Sequence, residues 1–197
     1  MFRSTRLKTV VVPLIALAAL FTLACPRAEA QVIKPFKVTG GGVAPKGLSL
    51  VLGTPTPHWA VGNATGLGKY YSAGAFQLLK FTSATTADFS SSVPCVFVAA
   101  NGDKLVCTYG DTTNGAKQAG KVTLKVVGVT ANNSPIVTGT FVAEFNPVPA
   151  LCTGRFNKVV GGSFIMVAVT QPFVLGATDP VGFTWAGKGS LAFSMGK

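Results

Sequence analysis

Polar and apolar side chains alternate through much of the chain after residue 30. From Lys121 to Val126, lysine or threonine occupies every second position and valine or leucine the positions between, which gives a strand one wet and one dry face. No stretch of a dozen residues shows the apolar spacing of three and four that a helix needs. The strand-like runs are Val32–Thr39, Trp59–Gly66, Lys69–Thr82, Val93–Ala100, Lys104–Tyr109, Gly120–Thr130, Ile136–Phe145, Ser163–Thr170 and Val181–Phe193.

Clusters of glycine, proline, asparagine and serine separate these runs and predict turns. They include Gly40–Gly42, Pro55–Pro57, Ser90–Ser92, Asn101–Asp103, Thr112–Gly115, Asn132–Pro135 and Thr178–Pro180. Pro45–His58, with three prolines, is predicted to be a loop or crossover, and Leu48–Leu52 is a candidate short strand within it. Such spacing is typical of an antiparallel barrel or sandwich. We therefore predict an all-β fold over residues 31–197, a single antiparallel β-barrel of about eight strands.

The first thirty residues have a different pattern. Three basic side chains within the first eight residues precede an apolar run over residues 10–24, and Ala28-Glu29-Ala30 follows. A charged start, an apolar middle and a small-residue end are typical of a secretory signal peptide, which we predict for residues 1–30. The protein is then expected to be secreted or periplasmic. Two alternatives remain open, an uncleaved membrane anchor and lipid attachment at Cys25.

The net charge of the chain excludes few classes of function. Without the predicted leader the net charge is about +8, and the lysines and arginine are scattered rather than adjacent. Nucleic-acid binding needs clustered cations beside aromatic platforms, so no nucleic-acid partner is predicted, and no transmembrane segment is predicted after signal cleavage. An outer-membrane barrel is a further alternative, although three tyrosines and two tryptophans supply few residues for its aromatic girdles.

Three cysteines follow the predicted leader, and two of them flank a hairpin signal at Asn101-Gly102. A two-residue turn would place Cys95 opposite Thr108, whereas a three-residue loop would place it opposite Cys107. Opposed Cβ atoms come close enough for a bridge at some ladder positions. We predict a Cys95–Cys107 disulfide, with two buried reduced thiols as the alternative, and Cys152 in the core or free.

Three short motifs carry a family resemblance. They are Leu67-Gly68-Lys69-Tyr70, Ala99-Ala100-Asn101-Gly102-Asp103, and Thr153-Gly154-Arg155-Phe156 followed by Gly161-Gly162. Together with a final strand at 185–191, the series resembles small exported bacterial proteins of the allene-oxide-cyclase-type barrel family over about residues 58–193. The chain departs from that pattern at Gly66, where histidine is common, and at Cys152, where glycine is usual. The resemblance implies eight antiparallel strands closed around an apolar interior.

The chemistry of these motifs favours a structural role. In each glycine–cation–aromatic series the glycine permits a bend, the cation stays in water and the aromatic ring fills the barrel. Arg155 is predicted either to pair with Asp103 or Glu144 at the rim or to remain solvated. The candidate rim or motif residues are Lys69, Tyr70, Asn101, Asp103, Arg155 and Phe156.

Groups for catalysis are sparse. His58 is the sole histidine, and the few carboxylates fall mostly in predicted turns. Nothing selects a nucleophile, a metal site or a cofactor motif, so no catalytic, metal or cofactor-binding residue is predicted. The leading hypothesis is an exported non-enzymatic barrel, structural or binding a small apolar ligand. The alternative, drawn from the family resemblance, is an isomerase or cyclase acting on a hydrophobic substrate.

Overall fold

The computed structural model describes residues 30–195, and strands dominate that range. Within it the helical residues form three single-turn 3₁₀ helices, at Thr112–Asn114, Pro149–Leu151 and Gly154–Phe156. The strands are β1 Gln31–Ala44, β2 Thr56–Ala64, β3 Gly68–Ser83, β4 Thr86–Ala99, β5 Lys104–Tyr109, β6 Gly120–Val129, β7 Pro135–Pro147, β8 Val159–Thr170, β9 Phe173–Val174 and β10 Val181–Ser194. The predicted signal peptide, apart from Ala30, and the alternative lipid site at Cys25 lie outside the described residues.

The sheet closes into a barrel, which confirms the predicted fold class. Neighbouring strands pair antiparallel. Around the barrel their order is β1, β2, β3, β4, one shared position, β7, β8, β10 and back to β1. The eighth position, between β4 and β7, is shared by β5 and β6, which lie end to end. The short strand β9 adds to the edge of β7 outside this circuit. The result is a closed eight-strand barrel without an open sheet edge around its circumference.

The two ends of the barrel differ in how they are filled. At one end, here named the packed end, lie the start of β1 and the β2–β3 and β4–β5 hairpins. There the interior holds large side chains that are at most 2% exposed, and the rings of Phe36 and Phe164 have centroids 4.8 Å apart. The opposite end, named the mouth, carries the β1–β2 loop, the β3–β4 and β6–β7 hairpins and the β8–β10 connection. Toward the mouth, small side chains replace large ones along β8, from Phe164 through Met166 to Ala168.

Two of the predicted turns are wrong, because Gly40–Gly42 and Ser90–Ser92 lie inside β1 and β4. The glycines mark a close approach of neighbouring strands instead of a reversal. A Cβ on Gly42 would overlap the carbonyl oxygen of Trp59, and one on Gly40 would lie 2.5 Å from the Tyr70 hydroxyl. The serines occupy a stretch where the β3–β4 register shifts, as at a bulge.

The segment between β1 and β2 forms a loop, and the candidate strand at Leu48–Leu52 is not present. Leu48 and Leu50 are partly buried against the core, so the loop turns these two side chains toward the barrel, whereas Val51 and Leu52 are exposed. Two hydrogen bonds fix it in place: Gly53 N donates to Leu78 O at 2.9 Å, and Ser49 N donates to Thr56 Oγ1 at 3.2 Å. This loop therefore covers part of the mouth.

Candidate functional site

An apolar cavity of about 70 Å³ lies in the mouth half of the barrel. Small residues on two neighbouring strands leave this space: along β8 the inward-facing residues run Phe164, Met166, Ala168 toward the mouth, and Ala143 faces inward from the adjacent β7. Aromatic rings and Leu48 of the β1–β2 loop complete the wall. The rings are those of Phe76, Phe89, Tyr109, Phe141, Phe145, Phe183 and Trp185. We call this cavity the mouth chamber.

Three polar side chains line the mouth chamber, and two of them form a buried pair. His58 Nε2 lies 2.9 Å from Tyr109 Oη, and the two residues are 7% and 3% exposed. The third, Thr170, accepts a hydrogen bond at Oγ1 from Gly139 N at 2.7 Å. Except for the His58–Tyr109 pair, the chamber wall is therefore apolar or already hydrogen-bonded.

The second nitrogen of His58 has no partner. Its Nδ1 is buried and makes no hydrogen bond with any described residue. The imidazole stands edge-on to the rings of Phe183 and Trp185, with centroids 6.1 and 5.9 Å away. Burial lowers the pKa of His58 from 6.5 to about 4, so the ring is neutral at neutral pH. A buried polar nitrogen without a partner is costly, and because Nδ1 is itself fully buried, it is a polar atom left unsatisfied within the wall, not one that is open to the chamber.

The layer beneath the chamber is closed by a satisfied polar network. Trp185 Nε1 donates to Tyr70 Oη at 2.7 Å, and that hydroxyl donates to the carbonyl of Thr39 at 3.1 Å. Burial raises the pKa of Tyr70 to about 12. Below it the ring of Phe97 packs edge-on against Tyr70 at 5.2 Å. The chamber therefore ends at this layer, and the packed end carries no continuation of it.

The predicted rim residues other than Tyr70 gather at the packed end, away from the mouth chamber. Arg155 Nε donates to Asp103 Oδ2 at 2.7 Å, and its Nη1 donates to the carbonyl of Gly66 at 2.6 Å. Asn101 also donates to that carboxylate, at 3.0 Å, and together with Arg155 it lowers the pKa of Asp103. Phe156 is buried beside this clamp, whereas the side chain of Lys69 is exposed.

This clamp joins three loops and has a structural role. Of the two carboxylates proposed as partners of Arg155, Asp103 makes the contact. The other, Glu144, accepts hydrogen bonds from Lys117 N at 2.9 Å and Ser163 Oγ at 2.7 Å on the barrel wall. At Gly66 the backbone has φ +78°, a conformation that favours glycine where the chain bends.

The predicted Cys95–Cys107 disulfide is wrong, because both cysteines are free. The register behind it is right: residues 100–102 form a three-residue loop with Gly102 at φ +86°, and Cys95 faces Cys107. The Val106 carbonyl oxygen accepts a hydrogen bond from Val148 N on the side of β5 away from β4. Because successive residues of a strand point their backbone groups to opposite sides, the N–H and C=O of Cys107 point toward Cys95. Such a hydrogen-bonded pair holds its Cβ atoms about 5.5 Å apart, more than a disulfide spans.

The third cysteine, Cys152, lies beside the edge of β5 that faces away from β4. Val106 N donates to Cys152 Sγ at 3.5 Å, and the thiol donates to Val148 O at 3.4 Å. All three thiols are buried, and burial raises the pKa of each above its usual value. Deprotonated, reactive thiolates are therefore not expected here.

The mouth chamber itself was not predicted from the sequence. The alternation of β2 would have located it, because Thr56, His58 and Ala60 face inward while Trp59 and Val61 are exposed. Hydropathy alone predicts the opposite phase, with Trp59 inside the barrel and His58 exposed to water. The correct phase depends on Tyr109, which is distant in sequence and offers the imidazole a buried partner.

Comparison of the chain with protein-family models, curated proteins and solved structures finds no match. Among residues 30–195, no group of three histidine, cysteine, aspartate or glutamate side chains is placed to hold a metal ion. The same range has no helix long and apolar enough to cross a bilayer.

Proposed function

We propose that this protein is an exported, non-enzymatic barrel that binds a small apolar ligand in the mouth chamber. The observation that carries the proposal is an apolar cavity of about 70 Å³ inside the barrel, lined largely by aromatic rings. Ligand sites are typically concave and apolar with a few polar groups that fix orientation. The proposed kinship with allene-oxide-cyclase-type barrels rests on the three sequence motifs, and the closed eight-strand fold is compatible with it.

The size of the chamber limits what enters it. At about 70 Å³ it has roughly half the volume of the ~150 Å³ engineered cavity that accommodates benzene. A group of three or four heavy atoms therefore fits inside. A second, smaller pocket of about 20 Å³ adjoins the chamber, shares Leu48, Phe76 and Phe141 with it and continues past Leu50.

The alternative is an isomerase or cyclase acting on a hydrophobic substrate. One observation favours it: His58 and Tyr109 are two groups able to exchange protons, held 2.9 Å apart in an apolar chamber. However, a pKa of about 4 makes the imidazole a weak base at neutral pH, and burial raises the pKa of the Tyr109 phenol. These shifts oppose proton transfer, so binding is the better-supported function.

Methionine methyl groups provide a test with an internal control. Met166 lines the mouth chamber, whereas Met195 is exposed beyond the end of β10. In protein labelled with ¹³C at the methionine methyls, we expect 2-methylpropene, a branched alkene of four carbon atoms, to shift the Met166 signal and leave Met195 unchanged.

A variant pair completes the test. Ala168→Leu fills the chamber and should abolish the Met166 shift, whereas Ala186→Leu, on the outer face of β10, should bind as the wild type does. An unmoved Met166 signal, or an undiminished shift in Ala168→Leu, would exclude the chamber as the binding site.

A further inference from the structure

Apolar side chains remain exposed along one side of the mouth, where three segments lie next to one another. They are the β1–β2 loop, the β3–β4 hairpin and the end of β6. The loop is joined to β3 because Gly53 N donates to Leu78 O at 2.9 Å. The hairpin is joined to β6 because Leu124 N donates to Thr85 O at 2.7 Å. The large apolar residues of these segments that are at least 47% exposed form what we call the apolar lip: Val51, Leu52, Phe81, Val126, Val127 and Val129.

The apolar lip continues the interior face of the barrel beyond its wall. On the inward face of β6 the side chains become steadily more exposed toward the mouth, from 4% at Val122 through half-buried Leu124 to 56% at Val126. Phe81 lines the second pocket together with Leu50 and Leu124, yet it is 49% exposed. A contiguous exposed apolar surface of this kind is typical of an interaction site, unlike single apolar residues scattered over a surface.

The charges beside the apolar lip are mostly positive. Its three segments contain four lysines and one aspartate, a net charge of +3 over residues 46–55, 78–88 and 121–134. The aspartate, Asp88, lies between Lys80 and Lys121, with nitrogen–oxygen distances of 3.3 and 3.1 Å. Lys125 directly precedes Val126, is exposed and forms no ion pair with another described residue. Lysines interleaved with exposed apolar side chains are typical of surfaces that bind anionic membranes.

We propose that the apolar lip docks the mouth of the barrel on the surface of an anionic lipid bilayer. In this orientation the lip enters the boundary between headgroups and acyl chains, and Lys46, Lys80 and Lys125 lie at the level of the anionic headgroups. The mouth chamber then faces the bilayer, in which apolar molecules are concentrated. Docking does not require a ligand in the chamber, so it goes beyond the proposed function and can fail while that function stands.

A second copy of this chain fits the apolar lip less well than a bilayer does. Two lips packed face to face would bring together eight lysines and two aspartates, and juxtaposed like charges oppose association. An anionic surface instead pairs with these lysines while it covers the apolar side chains. The packed end of the barrel also carries lysines, among them Lys34, Lys37 and Lys104, so net charge alone does not distinguish the two ends. A test must therefore compare the ends at equal charge.

Cosedimentation with large unilamellar vesicles measures the docking. The protein is isolated from its own host and mixed with vesicles of phosphatidylcholine alone, or of phosphatidylcholine with about 30% of the anionic lipid phosphatidylglycerol. We expect the wild type to bind the anionic vesicles at least about tenfold more tightly than the neutral ones at low salt, and added salt to weaken this binding. All variants share the wild-type N-terminus, so any binding through residues 1–29 is common to them.

Glutamate substitutions at the two ends provide variants of equal charge. Val51 and Val129 of the lip are 67% and 62% exposed, and Ile33 at the packed end is 71% exposed, so all three sites accept the change without loss of core packing. Val51→Glu and Val129→Glu should each weaken binding to the anionic vesicles about tenfold, because apolar contact is lost and a repulsive charge is added. Ile33→Glu should change it less than about twofold, since that site lies far beyond a Debye length from the bilayer.

A lysine pair tests the electrostatic part in the same way. Lys125→Gln removes a cation beside the lip and should weaken binding about fivefold, the effect of one lysine near an anionic surface. Lys104→Gln removes an exposed cation at the packed end and should have an effect below about twofold. Unchanged midpoints of urea unfolding show that the four sites are compared in folded protein.

Several results would overturn the inference. They are a wild type that does not bind the anionic vesicles, Val51→Glu and Val129→Glu that bind as the wild type does, or equal losses in Ile33→Glu and Val129→Glu. Losses confined to the lip variants and Lys125→Gln would support it. The Met166 response to 2-methylpropene is measured without vesicles, so a failure of docking is distinguishable from a failure of the proposed function.

Discussion

Acid should destabilise this protein through His58, and the effect is large enough to measure. The folded barrel holds the imidazole in an apolar chamber with a pKa of about 4, against 6.5 for the free side chain. Between these values the unfolded chain binds a proton that the folded chain excludes. Stability from this group is therefore complete above pH 6.5 and declines as the pH falls toward 4.

The magnitude follows from the size of the shift. Each pH unit of difference between the folded and unfolded pKa corresponds to about 1.4 kcal/mol, which gives a total near 3 kcal/mol for His58. About 2 kcal/mol of this is lost between pH 7 and pH 5. The carboxyl groups whose pKa is lowered by hydrogen bonds, such as Asp111 and Glu144, lose most of their stabilisation at lower pH, so they interfere little in this window.

Urea unfolding of the wild type and His58→Phe at pH 7, 6 and 5 is the assay. The variant has no histidine, so its free energy of unfolding should change with pH by about 2 kcal/mol less than that of the wild type over this range. Parallel pH dependence of the two proteins, within about 0.5 kcal/mol, would show that the imidazole is not buried in the folded barrel and would refute this reasoning.

Three other predictions concern the barrel wall and the packed end. A Cβ at position 62 would overlap the carbonyl oxygen of Thr39, so Gly62→Ala should lower the free energy of unfolding by about 2–3 kcal/mol in urea, whereas Gly161→Ala, with open space around it, should change it by less than about 0.5 kcal/mol. Arg155→Ala should speed amide hydrogen exchange in the β4–β5 hairpin without changing exchange at the mouth; equal protection in both proteins would contradict the clamp. The three cysteine thiols of the described chain should resist a thiol reagent in the native state and all react after unfolding without reductant; a pair that stays blocked would indicate a disulfide.

Alternation is a local property, and in β6 it correctly predicted exposed Lys121 and Thr123 on either side of buried Val122. Lys104–Tyr109 has the predicted bounds although every residue after Lys104 is buried, and the three-residue loop before it was one of two turns that Asn101-Gly102 allows. Local composition was misleading where a strand contains several glycines or serines. Gly40–Gly42 resembles a turn in sequence, but the glycines accommodate the neighbouring strand, a contact that becomes visible only when β1 and β2 are paired.

The site was beyond sequence reasoning for a related reason. The mouth chamber lies between small residues on the paired strands β7 and β8, such as Ala143 and Ala168, and rings of other strands that come together only in the closed barrel. His58 was noted as the sole histidine, but its significance comes from Tyr109, fifty-one positions later. The motifs that were easiest to recognise, around Asp103 and Arg155, belong to the packed end and hold loops together.

The packed end and the mouth of the barrel therefore have different roles. The packed end is filled by large rings and tied by the Arg155–Asp103 clamp, which stabilise the closed sheet. The mouth retains the space, the unpaired nitrogen and the β1–β2 loop with its inward Leu48. Substitutions at the packed end should therefore affect stability first, and substitutions in the chamber should affect binding first.

Diffraction from crystals held under xenon tests the existence of the mouth chamber most directly, because xenon occupies accessible apolar cavities and gives strong scattering. We predict a xenon atom within the barrel, in contact with His58, Phe183 and Ala168. Aromatic rings that occupy this space, with no xenon between them, would contradict the account.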